Sequence, residues 1–137
     1  MSIVLDSSAT MARVYVDEVS PAIQRVFEIV LNDGAWVPSL WRLEVANILE
    51  MGARRGRHDT AFADATLSDL DLLPIRIDAD TDTHAWGATL KLARHHGLTL
   101  YDATYLELAK RRALPLATLD ADLRRAAEAE KVPLFGQ

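Results

Sequence analysis

The chain has 137 residues, half of them apolar and 26% charged, an ordinary globular composition with enough length for one domain and a real core. Its formal net charge of −5 argues against broad, sequence-independent affinity for nucleic acid, which relies on excess lysine and arginine, though it leaves room for a local basic groove. The absence of cysteine excludes disulfides, thiol nucleophiles and thiolate zinc sites, so any metal must be held by oxygen or imidazole.

The opening "MSIVLD" has neither a cationic segment nor an extended apolar one, and no long apolar run follows. A signal peptide and a membrane span are therefore not expected, and the cytoplasm is the expected location. Short β-rich runs then alternate with longer segments of helical period. "SIVLD" (Ser2–Asp6) reads as the first strand. Pro21, following Ser20, starts a helix that runs to about Asn32 and stops at Gly34. "AWVP" (Ala35–Pro38) is the second strand, and a helix from Ser39 places Leu40, Leu43, Ala46, Ile48 and Leu49 near one face. A helix over Thr60–Asp71 precedes the third strand, "LLPIRI" (Leu72–Ile77). One helix over Thr83–His96, ended by Gly97, and another over Asp102–Arg112 lead to the strand "PLATLD" (Pro115–Asp120). A helix over Ala121–Glu130 and the strand "VPLFG" (Val132–Gly136) complete the chain.

This alternation predicts a three-layer α/β fold in one domain over residues 1–137, with a central, mainly parallel sheet flanked by helices. In such sheets sites form beyond the carboxyl ends of strands. Four acids map to that rim. Asp6 and Asp120 end strands, while Glu44 and Asp102 lie early in neighbouring helices. Each has an ordinary explanation: Asp6 and Asp120 as helix N-caps, Asp102 as a partner in a Thr99-x-x-Asp capping box, Glu44 as a surface residue. Their joint placement is harder to explain that way. Two carboxylates roughly 5 Å apart at an effective dielectric near 20 repel by about 3 kcal/mol, more than helix-dipole contributions of about 0.3–1 kcal/mol offset. Either some of these acids are protonated or a divalent ion sits among them. With oxygen ligands only, Mg²⁺ or Mn²⁺ is the natural guest.

The blocks "IVLDSSA", "VPSLWRLEVANIL", "GLTLYDATYLELA" and "LPLATLDADLRRAAE" together resemble a PIN-domain ribonuclease, specifically the VapC-like toxin of a type II toxin–antitoxin pair. The resemblance spans essentially the whole chain. Asp6, Glu44, Asp102 and Asp120 fall on that family's acidic positions, Ser8 on its small polar residue, and Thr118 on the hydroxyl residue before its last acid. "DAD" offers Asp122 as a second candidate for the last position, and Asp120 is preferred because it directly follows the strand. The resemblance implies RNA phosphodiester hydrolysis with Mg²⁺ or Mn²⁺. Asp6 and Asp102 would contact the metal directly or through water, and Asp120 would complete its ligands. Glu44 would orient or deprotonate the attacking water, and the hydroxyls of Ser8 and Thr118 would fix carboxylate rotamers. The resemblance also implies a homodimer and a cognate antitoxin whose C-terminal segment masks the site. Apolar surface for such a segment is expected around Met11, Val14, Tyr15 and Trp41.

Arg42 and the run Arg54, Arg55 and Arg57 are the candidate RNA phosphate contacts, with Arg13 a weaker one. Lys110, Arg111 and Arg112 are expected to be a solvated helix end. "DADTDTH" (Asp78–His84) lacks the glycine and glutamate of a calcium loop. His95 and His96, an imidazole pair without supporting ligands, are weak evidence for a metal. Trp36, Trp41, Trp86, Tyr101 and Tyr105 are expected in the core or an interface. Two other classes stay open. One is a catalytically silent PIN-like module that binds RNA or protein. The other is a receiver-type signalling domain, which would require paired acids after the first strand and a late lysine that this chain lacks.

Overall fold

The computed structural model describes residues Met1 to Gln137. Five strands, β1 (Ile3–Leu5), β2 (Ala35–Val37), β3 (Ile75–Ile77), β4 (Leu116–Ala117) and β5 (Leu134–Phe135), form one sheet in the order β3-β2-β1-β4-β5. Every pairing is parallel; Val4 lies between Trp36 and Leu116. Eight α-helices flank the sheet: α1 (Ser7–Val14), α2 (Pro21–Asp33), α3 (Trp41–Arg54), α4 (Thr60–Asp71), α5 (Thr81–Ala85), α6 (Ala88–His96), α7 (Leu100–Arg112) and α8 (Ala121–Ala129). The three-layer α/β architecture expected from the sequence is the one found. No helix is long and apolar enough to cross a membrane.

The central strands follow from continuous apolar runs buried on both faces, with Ile3, Val4 and Leu5 all fully buried, while the edge strands β3 and β5 are only partly covered. Helix ends follow from local chemistry. Ser20 accepts the Ile23 N–H at 3.2 Å with Pro21 as the first residue of α2, and Gly97, left-handed at φ 66°, closes α6.

The structure departs from the sequence reading at five points. The residues after Asp6 form α1, whose Ala9, Thr10, Met11 and Ala12 are buried in succession; a run buried on consecutive positions carries no amphipathic period to read. The helix expected over Thr83–His96 is two, α5 and α6, because Gly87 leaves the helical region at φ −108°, ψ −107°. On α3 the buried stripe is Trp41, Val45 and Leu49, while Leu43 is 76% exposed. Trp86 and Tyr101 are exposed rather than packed in the core. Met11, Tyr15 and Trp41 are core residues, so they offer little free apolar surface.

The strand order reverses direction between β1 and β4, the position at which open α/β sheets open a crevice at their carboxyl ends. Asp6 directly follows β1, and its N–H donates to the Ala117 carbonyl of β4 at 3.1 Å. A third strand, β3, also ends in an acid. Asp78 is buried, and Arg111 reaches it with two bonds of 2.6 and 3.1 Å while Arg112 adds a third at 3.2 Å. Arg111 also binds Glu107 at 2.8 Å, and the Arg112 guanidinium stacks on Trp36 at 3.5 Å from the ring centroid. The end of α7 is thus a lock onto the sheet edge, not a solvated basic terminus. Burial pushes the Asp78 carboxyl up, and the bonds and charges of the two arginines outweigh it and hold it below the usual carboxylate range.

Asp78→Asn should therefore destabilise the fold by about 2–3 kcal/mol. That lies below the value for a fully buried pair, because the two guanidiniums keep part of their hydration. Urea denaturation reads this as a lower midpoint at unchanged slope.

Candidate active site

Asp6 lies between β1 and α1 and is 4% exposed. Its Oδ1 accepts the Ala9 N–H at 2.8 Å, which caps α1, and the Ser8 hydroxyl donates to its two oxygens at 2.7 and 2.9 Å. Ser8 lies 3.4 Å from the Thr118 hydroxyl and accepts the Leu119 N–H at 2.9 Å. Thr118 Oγ1 accepts the Asp120 N–H at 3.1 Å. The two hydroxyls therefore bridge the ends of β1 and β4. Asp120 Oδ2 accepts the Leu123 N–H at 2.9 Å, capping α8 and leaving its other oxygen without a protein donor.

Asp102 and Glu44 arrive on helices. Thr99 caps α7 with its own hydroxyl by accepting the Asp102 N–H at 3.1 Å, so the Asp102 carboxylate is not consumed as the cap. Glu44, in the first turn of α3, accepts from the phenol of Tyr105, which sits three residues after Asp102 on the same face of α7. A buried relay sets the angle of α3 against α1. The Trp41 indole N–H donates to Thr10 Oγ1 at 3.0 Å, and that hydroxyl donates to the Asp6 carbonyl at 2.7 Å.

The charges of the four acids are linked through Asp102. Burial lifts Asp6 from the ordinary 3.8 to about 6, against the lowering effect of its bonds to Ala9, Thr118 and Ser8; the charge of Asp102 lifts it further. Burial raises Glu44 despite its bond to Tyr105, and Asp102 again adds to the rise. Asp102 is raised by burial, then by Asp120 and Asp122, with Thr99 opposing. Asp102 is thus the hub of the repulsion. None of the chain's ion pairs engages Asp6, Glu44, Asp102 or Asp120, although the sequence holds 15 lysines and arginines. Asp122, by contrast, is exposed and paired with Arg125 at 2.7 Å.

The donor set fits a hard divalent ion. It is all oxygen, it is partly desolvated, and hydroxyls fix its carboxylates. It is a cup and not a closed cage. The one trio of potential ligand residues whose atoms all lie within 4.8 Å of one another is His95, His96 and Glu130, away from this rim. Mg²⁺ characteristically keeps several waters and takes one or two carboxylates directly, which suits a wider cup.

The candidate phosphate contacts lie outside the cup. Arg42 pairs with Asp71 at 3.0 Å, Arg54 with Glu50 at 3.3 Å, and Arg57 with Asp17 at 3.4 Å while stacked over Tyr15. Arg54 is ten residues after Glu44 on α3, about 15 Å along the helix at ~1.5 Å per residue. Thr99 caps α7 as the sequence reading had it, while Tyr105 is a site residue that the reading assigned only to packing. The i,i+3 spacing of Tyr105 from Asp102 carried that signal, but its aromatic character pointed to packing.

A family model described as PIN domain matches residues 3–129. Comparison of the sequence with curated proteins returns no match. Among solved structures, the fold is similar to PAE2754 from Pyrobaculum aerophilum, at 27% identity and TM-score 0.71, covering 98% of this chain and 83% of that one. It is also similar to VapBC2 from Rickettsia felis, solved bound to a DNA fragment from their promoter, at 14% identity and TM-score 0.64, covering 98% and 97%. VapC20 from Mycobacterium tuberculosis, described as a sarcin-ricin loop cleaving toxin, aligns at 19% identity and TM-score 0.61, covering 90% of this chain and 94% of that one.

An acid whose folded-state pKa is raised holds a proton in the folded chain that the unfolded chain has already released. Stability is therefore fullest below the unfolded value of 3.8 and falls as pH rises toward about 6. The loss attributable to Asp6 is about 2–3 kcal/mol. Urea midpoints measured between pH 4 and pH 7.5 should decline in wild type, and the decline should be much flatter in Asp6→Asn, which should also be the more stable protein at pH 7.5.

Proposed function

Because the chain belongs to the PIN-domain family, we propose that it is a metal-dependent endoribonuclease and the toxin of a type II toxin–antitoxin pair, with residues 1–137 forming one catalytic domain. PIN domains are generally nucleases, and two structural neighbours are described as a toxin that cleaves the sarcin-ricin loop and a VapBC assembly. The observation that carries the proposal is that burial and the repulsion of neighbouring acids raise Asp6, Glu44 and Asp102, and no side-chain cation pairs with them or with Asp120.

Bound Mg²⁺ or Mn²⁺ would supply an activated water, charge neutralisation at the scissile phosphate and a template for in-line attack. Asp6, Asp102 and Asp120 would hold the ion. Ser8 and Thr118 keep the Asp6 carboxylate in its rotamer, so the ligand is oriented before the ion arrives. Glu44 is held by the Tyr105 phenol through one oxygen, which leaves the other to orient the attacking water or accept its proton. A raised carboxyl pKa suits that exchange near neutral pH. Arg42, Arg54, Arg55 and Arg57 would engage phosphates flanking the cut; Arg42, Arg54 and Arg57 would give up their acidic partners at small cost, since surface ion pairs are worth about 0–1 kcal/mol.

The proposed protein partners are a second copy of the chain and an antitoxin whose C-terminal segment covers the acids. An apolar cleft to which Ala46, Leu67, Leu73, Ile75 and Ile77 give accessible surface borders α3, the helix that carries Glu44, and suits an amphipathic segment of such a partner.

Purified protein incubated with total RNA and Mg²⁺ or Mn²⁺ should generate discrete new ends that EDTA suppresses. Asp6→Asn and Asp102→Asn should reduce them to background while the far-UV circular dichroism is unchanged. Ser8→Ala should cost about 10- to 100-fold in rate. Equal, EDTA-insensitive cleavage by wild type and both variants would refute the assignment.

A further inference from the structure

We propose that His95, His96 and Glu130 form a second metal site, separate from the carboxylate rim, that takes a late first-row divalent ion such as Zn²⁺. The two histidines occupy the last turn of α6, and Glu130 is the C-cap of α8. One ligand atom from each of the three lies within 4.8 Å of the others. The imidazole rings meet edge to face, 4.6 Å apart at 84°. His96 and Glu130 are mostly shielded, at 9% and 19% side-chain exposure, and their Nε2 and Oε2 lie 2.6 Å apart.

That pair already shares one proton, and an ion would take its place. Across tetrahedral zinc with ligand bonds near 2.0–2.1 Å, nitrogen and oxygen sit roughly 3.4 Å apart, so the pair needs to open by less than about 1 Å, and water fills the fourth position. Lys110 binds the other Glu130 oxygen, and an Arg125 N–H donates to the His96 carbonyl at 3.2 Å. Both hold their ligands in place, while their positive charge limits the affinity. Imidazole with carboxylate favours Zn²⁺, Ni²⁺ and Co²⁺ over Mg²⁺, so this trio and the all-oxygen rim select different ions. An ion here ties α6 to α8 across α7, the helix that carries Asp102.

The test is a Co²⁺ titration of full-length chain carrying no histidine tag, read by visible absorption. Wild type should develop the intense d–d bands of low-coordinate cobalt, saturating at one equivalent for this trio whatever weaker-absorbing cobalt the rim takes, bands that Zn²⁺ abolishes and millimolar Mg²⁺ does not. His95→Gln, an exposed position that leaves the fold intact, and Glu130→Gln should each weaken binding by at least about tenfold, and Asp102→Asn should bind as wild type does. The proposal is overturned by absence of the bands, by wild-type binding in His95→Gln, or by loss of binding in Asp102→Asn.

Discussion

A carboxylate taken out of water must be answered by a cation or a proton, and this chain contains both outcomes at equivalent places. Asp6 and Asp78 each end a strand of the same sheet, and both are nearly inaccessible. Asp78 meets Arg111 and Arg112 and is held ionised. Asp6 meets neutral donors and, beyond them, the charge of Asp102, and is pushed to about 6. Burial alone therefore does not make a site here. What distinguishes Asp6 is that the chain brings more acids to it and no base.

The fold leaves those acids little choice of position. Parallel strands place their carboxyl ends on one rim, and the reversal of strand order between β1 and β4 opens that rim where Asp6 and Asp120 emerge. Helix capping then holds them. One carboxylate oxygen of Asp6 and one of Asp120 cap α1 and α8, which fixes the side chains while leaving the second oxygen of Asp6 to the Ser8 hydroxyl and that of Asp120 without a protein donor. Capping and ion binding are thus compatible roles for one residue. At α7 the two are divided, with Thr99 capping and Asp102 kept free. Cation-free acids at a rigid rim are a store of electrostatic energy, and their mutual repulsion costs stability in the free protein.

Much of this was legible in the sequence because it rests on short-range pattern. The strands are continuous apolar runs, and "IVLD" and "TLD" state where two of them end. Helix α4 was readable to its limits because its polar and apolar residues alternate with a clear period and Asp59 caps it. Other features depend on tertiary contact. Nothing local distinguishes Asp78 from Asp6; only the return of α7 supplies the arginines. Leu43 and Val45 are both aliphatic residues of α3, and the packing of α1 decides which one is buried, through the bond between Trp41 and Thr10. The pair His95–His96 was only weak evidence for a metal in the sequence, because the third group, Glu130, reaches it from α8. Tyr105 was read as packing, which it is, but its phenol end also holds Glu44.

Site-resolved carboxyl NMR of Asp6, titrated from pH 3 to pH 8 with and without saturating Mg²⁺, measures the uncompensated charge at the rim directly. The account predicts a midpoint near 6 in the free protein, moving down to the ordinary aspartate range or below when the ion is present. A midpoint near 4 without Mg²⁺, or one near 6 that Mg²⁺ leaves in place, would contradict it.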